Sequence, residues 1–215
     1  MKKIVFFLTA ISIVAVGCTA KVTTSNSSSP TNTGSPKTTG SPTASAPKAN
    51  EKKAPTANPV PADWVRLHDD VKGYEFMVPQ GTEHKTQTVE GVDVYMASVP
   101  KPYELGVMVV AFKDKTLTKD DLLKRAENIL KSLGDKDIKI DAPKELNDDY
   151  SLAAYTATGE DGKAEKGKIL VATDVSDNFI MLVAGDGANF ASNEKTIDEI
   201  WGSFGMYSGG ASGNS

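Results

Sequence analysis

The sequence predicts an α+β sandwich: a mostly antiparallel sheet covered by two main helices. Three observations carry that expectation. The runs Gly106–Phe112 and Phe179–Ala184 are apolar at successive positions, so both faces of each are buried and both strands are central. Two stretches, ending near Leu133 and Phe204, repeat apolar residues at helical spacing. Short Asp-, Asn- and Gly-bearing segments, Glu160-Asp-Gly-Lys163 and Ser176-Asp-Asn178, join strand signals so closely that neighbouring strands must run antiparallel.

The elements follow in order. Gly73-Tyr-Glu-Phe-Met-Val78 reads as the first strand, stopped by Pro79, and Val92–Val99 and Leu105–Phe112 follow on either side of Pro100-Lys-Pro102. Gly91 and Gly106 mark local irregularities. The first helix has Thr118 as cap with Asp121 three residues on. Leu122, Leu123, Ala126, Ile129, Leu130 and Leu133 form its apolar stripe, and Gly134 is its stop. Strand signals resume at Ile138–Ile140, Tyr150–Thr158, Lys168–Thr173 and Phe179–Ala184. The closing helix spans about 192–204, with Ile197, Ile200, Trp201 and Phe204 on one face. Each stripe needs an apolar surface, and the sheet supplies one.

Composition divides the chain. Residues 21–60 hold 15 Ser or Thr and 6 Pro with no aromatic, too little apolar surface to offset the entropy of ordering them. The expected organisation is therefore a leader at 1–17, a disordered spacer at 18–62, one globular domain at 63–207 and a disordered tail at 208–215. Net charge is −4 overall, but the leader and spacer are basic, so the domain itself is strongly acidic. That balance argues against nucleic acid as a partner, because phosphate binding needs clustered Lys or Arg.

At the amino terminus, Lys2 and Lys3 precede an apolar run from Ile4 to Val16, too short to cross a bilayer comfortably and suited to a signal peptide. Cys18, the single cysteine, stands at the end of that run, so no disulfide within the chain is possible. Ala15-Val-Gly-Cys18 resembles the lipobox of bacterial lipoproteins, with Ala15 where Leu is preferred. The resemblance implies cleavage before Cys18 and acylation of that cysteine, with the lipoprotein processing and sorting machinery as partners. Two or three acyl chains hold a protein on a membrane essentially permanently. Thr19 stands where Asp would resemble an inner-membrane retention signal. The expected location is extracytoplasmic: the outer membrane facing the periplasm in a two-membrane cell, or the outer face of the plasma membrane in a one-membrane cell. The Ser-Pro and Ala-Pro steps of the spacer make it semi-flexible, with a reach on the order of 40 Å.

The order of elements in the domain resembles the PsbP-like fold, shared by the extrinsic lumenal protein of photosystem II, a Ran-binding import factor and the bacterial DcrB-type lipoproteins. The residues that carry the likeness are Gly73–Pro79, Thr118–Leu133 and Ile197–Phe204. It implies a non-catalytic accessory or partner-binding role without naming the partner.

No catalytic constellation is visible. His68 and His84 flank the first strand, at no helical metal spacing, and a G-x-S-x-G elbow is missing. Gly185-Asp-Gly-Ala-Asn-Phe190 has Phe where a dinucleotide fingerprint needs a small residue, and reads as a turn into a capped helix. Asp69-Asp70, Asp120-Asp121 and Asp148-Asp149 lack the spacing of a calcium loop. No catalytic, cofactor-binding or metal residue is therefore expected, and Tyr95 and Tyr155 are read as packing on sheet faces. Tyr103, in the loop after Pro102, is the residue expected to touch a partner. The function expected is a membrane-anchored, non-enzymatic accessory protein of the cell envelope that binds an unidentified envelope protein. The alternatives are a carrier of a small apolar ligand and a carboxylate-dependent envelope enzyme.

Overall fold

A computed structural model describes residues 52–54, 60–89, 91–174 and 177–207. The element order is β1 (Lys52–Lys53), β2 (Val65–Asp69), β3 (Tyr74–Val78), β4 (Glu83–Val89), β5 (Val92–Val99), β6 (Leu105–Phe112), α1 (Lys119–Ser132), β7 (Lys136–Ile140), β8 (Lys144–Glu145), β9 (Tyr150–Thr158), β10 (Ala164–Thr173), β11 (Asn178–Asp186), α2 (Phe190–Gly202) and β12 (Gly205–Met206). The large sheet runs β4-β5-β6-β11-β10-β9-β7, with β8 also on β9, and the small sheet runs β1-β12-β3-β2. Every pairing is antiparallel.

Side chains alternate across the large sheet and so build two cores. On one face Met108, Val110, Tyr155, Ile169, Val171, Ile180 and Leu182 pack with Leu122, Ala126, Ile129 and Leu130 of α1. On the other, Val107, Val109, Leu170, Phe179, Met181 and Val183 meet α2 and the small sheet through Ile197, Ile200, Tyr74, Phe76 and Met206. This is the expected sandwich, with β6 and β11 adjacent at its centre.

Helix α1 matches its sequence closely. The Thr118 side chain accepts from the Asp121 N–H, and Asp121 returns the bond to the Thr118 backbone, satisfying donors that the first turn leaves open. At the other end Gly134 takes φ 100°, which spares the clash a Cβ would suffer there. Its N–H donates to Lys131 O, and the Asp135 N–H donates back to Leu130 O, a Schellman turn.

Helix α2 starts two residues before the expected position and ends at Gly202. The backbone turns at Ser203, whose hydroxyl donates to Ile200 O and accepts from the Met77 N–H, 126 positions away in sequence. Phe204 then leaves the helix and enters the core, where its ring centroid lies 5.8 Å from Phe179, 6.2 Å from Tyr74 and 6.5 Å from Tyr150.

Several strands were not expected. β2 and β4 extend the two sheets, β12 forms immediately after α2, and β10 begins at Ala164 rather than Lys168. Gly91, at φ 78°, closes the β4–β5 hairpin, whereas Gly106 lies in regular register opposite Ser98 and Ala184. Lys52 and Lys53, read as spacer, pair with β12, and the Ala54 N–H donates to Phe204 O at 2.8 Å. Their backbone completes the edge of the small sheet, which puts Ala54 at 2% exposure. The leader, Cys18, residues 19–51 and the tail at 208–215 lie outside the described residues.

Candidate functional site

The residues singled out from sequence are spread over the fold. Tyr103 follows the cis Lys101–Pro102 bond, with its N–H on Pro100 O at 3.1 Å. It is half-buried against the α2-side core, and its carbonyl accepts from Asn193 Nδ2 at 2.8 Å, which ties this loop to the first turns of α2. His68 Nδ1 lies 3.5 Å from Asp70 Oδ1, while His84 stacks on Tyr95 with centroids 5.3 Å apart. Among the acidic pairs, Asp69 and Asp121 serve local turns, while Asp70 Oδ1 accepts from the Tyr207 hydroxyl at 2.8 Å. Asp69 Oδ1 accepts from the Val71 and Lys72 N–H groups, and Asp121 belongs to the α1 cap. Gly185–Asn189 is a turn into α2: Asp186 Oδ1 accepts from the Ala188 N–H, and the Gly187 N–H donates to Ala164 O. Asn189 at the cap position makes no side-chain hydrogen bond, so the helix is not capped as expected. Among the described residues no group of three or more His, Cys, Asp or Glu side chains is placed to hold a metal ion.

A different cluster stands out on the α1 face. Glu165, on β10, shares that face with Gly167, Ile169 and Val171 and is only 3% exposed. The Tyr155 hydroxyl donates to its Oε1 at 2.6 Å. Burial pushes the Glu165 carboxyl up to about 7; the phenol bond opposes the shift, and the charges of Asp135 and Asp161 add to it. Burial likewise raises Asp135 to about 6, and Tyr155 well above the phenol range. Asp135 belongs to the Schellman turn of α1, the β9–β10 hairpin aligns Tyr155 with Gly167, and Gly167 leaves room for the phenol ring.

Beside these groups Gly106, Met108, Leu130, Tyr155, Leu182 and Ala184 line a cavity of about 10 Å³. That is about the space one water needs. Gly106 and Ala184, two of its lining residues, lie opposite each other on β6 and β11, with Gly167 opposite Ala184 on β10. Tyr155 stands on a sheet face, as expected, whereas Glu165 is not among the residues expected from sequence. Extending the Ile169/Val171 alternation back through Gly167 reaches Glu165, and a carboxylate at an inward position of a central strand is the signal that was available.

The layered order of sheet and helices defines the class: the domain has a PsbP-like fold. Among solved structures it is similar to cyanobacterial PsbP (CyanoP) from Synechocystis sp. PCC 6803, with a TM-score of 0.51 and 16% identity over 68% of this chain and 94% of that one. At that identity the likeness concerns the fold alone. No protein-family model matches the sequence, and no curated protein matches it.

Proposed function

We propose that the chain is a lipid-anchored, non-enzymatic accessory protein of the cell envelope, whose PsbP-like domain binds a partner protein outside the cytoplasm. The observation that carries the reading is the amino-terminal sequence: Lys2-Lys3, an apolar run, Gly17-Cys18, and then a Ser/Thr/Pro-rich spacer. The acyl groups on Cys18 supply the attachment, and the spacer lets the domain stand clear of the headgroups. The tyrosine loop at Tyr103 is the proposed contact, half-buried and held by Asn193, so that it presents a fixed shape.

The carboxylates of Glu165 and Asp135 bear on the enzymatic alternative. Glu165 is buried and Asp135 half-buried, and a glycosidase-like reaction needs a cleft that admits a sugar between two carboxyl groups. The cavity beside them, about 10 Å³, has room for a single water. It is equally short of the several hundred Å³ that a carrier of apolar ligands uses.

Mild crosslinking in membranes followed by affinity capture tests it. Recovery of a specific envelope protein, lost when Tyr103 is changed to Ala, is the expected result. Recovery of the lipoprotein processing and sorting machinery alone contradicts the partner-binding role.

A further inference from the structure

We infer that the sheet surface beside α2, over β7, β9 and β10, is a basic ledge that receives an extended acidic segment of the partner protein. The inference rests on the partner binding proposed above and names the chemistry of the segment bound.

The ledge follows from register. Thr156 of β9 stands opposite Lys139 on one side and Lys166 on the other, so the three side chains share one row and one face. Lys144 of β8 stands opposite Leu152, and Lys136 opposite Thr158, towards the two ends of β9. This face is the one turned to α2, because Leu152 packs with the α2-side core while Ala153, Tyr155 and Ala157 pack with α1. Helix α2 rests on β11 and β10, and Lys168 of β10 is tied to its Glu194 and Asp198. One strand further on, Ala154 and Thr156 are exposed, although the opposite face of β9 is buried.

Among the described residues Lys136, Lys139, Lys144 and Lys166 are exposed and form no ion pair. The acids around them are mostly engaged elsewhere. Glu194 and Asp198 hold Lys168, Glu145 holds Lys119, and Glu199 holds Lys195. Asp137 accepts from the Thr158 hydroxyl at 3.3 Å, and Asp141 lies beside Ala154, whose carbonyl accepts from its N–H. The unpaired lysines therefore outnumber these two carboxylates, on a domain that is otherwise strongly acidic. Lys139 and Lys166 are two strand spacings apart, roughly 10 Å, which is about one Debye length at 0.1 M salt. They repel each other until an acidic group lies between them. The shape selects the occupant. A helix with its side chains is about 10 Å thick, so α2 rises beside the ledge and a flat lipid surface meets the helix first. An extended chain fits along β9, where the small side chains of Ala154 and Thr156 leave the floor open. Its side chains alternate, so carboxylates at every second position face the lysines. Such a contact steers association and fixes register.

Photocrosslinking in membranes tests the ledge, using the full chain with a photoreactive phenylalanine analogue in place of the exposed Ala154. The expected product, mapped by mass spectrometry, is an adduct to a protein segment rich in Asp and Glu. Its yield should fall about tenfold when NaCl rises from about 50 to about 500 mM. Lys139→Gln combined with Lys166→Gln should lower the yield to a similar extent and leave the unfolding temperature unchanged, because both side chains are exposed and unpaired. An adduct to phospholipid, to a second copy of this chain or to a neutral or basic segment overturns the inference. So does the absence of any adduct, or a yield that neither salt nor the double variant changes. Partner capture that is lost in Tyr103→Ala but intact in the double lysine variant overturns the ledge alone and leaves the proposed function standing. Absence of any partner from the unaltered chain removes both.

Discussion

Replacing Glu165 by Gln removes one proton site from the core and leaves the shape of the side chain and an acceptor for the Tyr155 hydroxyl in place. The carboxyl stands near 4.5 in the unfolded chain and at about 7 in the fold, a difference worth about 3 kcal/mol at 1.36 kcal/mol per unit. The sign follows from linkage. A carboxyl that is harder to ionise when folded binds more protons in the native state between those two values. Its contribution is thus fully present below 4.5 and lost as pH rises through about 7. Asp135, raised to about 6 by burial, tilts the curve the same way. Urea or thermal unfolding from pH 4.5 to 8.5 should show the unaltered chain losing stability with pH while Glu165→Gln loses less. The gap should grow from near zero to about 3 kcal/mol, or on the order of 10 °C in Tm for a chain of this size. Parallel curves, or a native chain that gains stability across this window relative to the variant, would refute the reasoning.

The other predictions concern packing and the anchor. Gly167→Ala places a Cβ 2.5 Å from Tyr155 Cε1 and 2.7 Å from Val183 O, a ring and a backbone atom that cannot swing aside, so urea unfolding should show a loss of about 1–3 kcal/mol. Tyr74→Phe should leave stability unchanged or raise it by about 1 kcal/mol, because the buried Tyr74 hydroxyl has no hydrogen-bond partner among the described residues and its ring contacts are kept; a loss of 2 kcal/mol in the same assay would show a missed partner. Phe204→Ala removes the ring that touches Tyr74, Tyr150 and Phe179 and should cost about 3–5 kcal/mol. Cys18→Ser should shift the protein from membrane pellet to soluble fraction in a cell fractionation.

The parts of the fold visible in the sequence are those whose local chemistry agrees with their final surroundings. Thr118, Asp121 and Gly134 bound α1 because capping and left-handed backbone are local demands. β6 and β11 were legible because burial on both faces leaves a run with no polar interruption. β4, Glu-His-Lys-Thr-Gln-Thr-Val, is an edge strand with most side chains in water, so nothing in its composition distinguishes it from a loop. β12 and β1 are two residues each and exist only through partners distant in sequence, as is the bond from the Met77 N–H to Ser203. Phe204 illustrates the same limit: its spacing fits the helix stripe, yet the chain has already turned when the ring enters the core. The Tyr155–Glu165 pair was hidden because its members come from β9 and β10, and only register brings them together.

The central claim, that this PsbP-like domain is held to a membrane through Cys18, is tested most directly by intact-mass measurement of the mature protein. The account predicts a chain beginning at Cys18 and carrying the added mass of a diacylglyceryl group, with or without a further acyl chain. An unmodified amino terminus at Cys18, or a chain that retains residues 1–17, would contradict it.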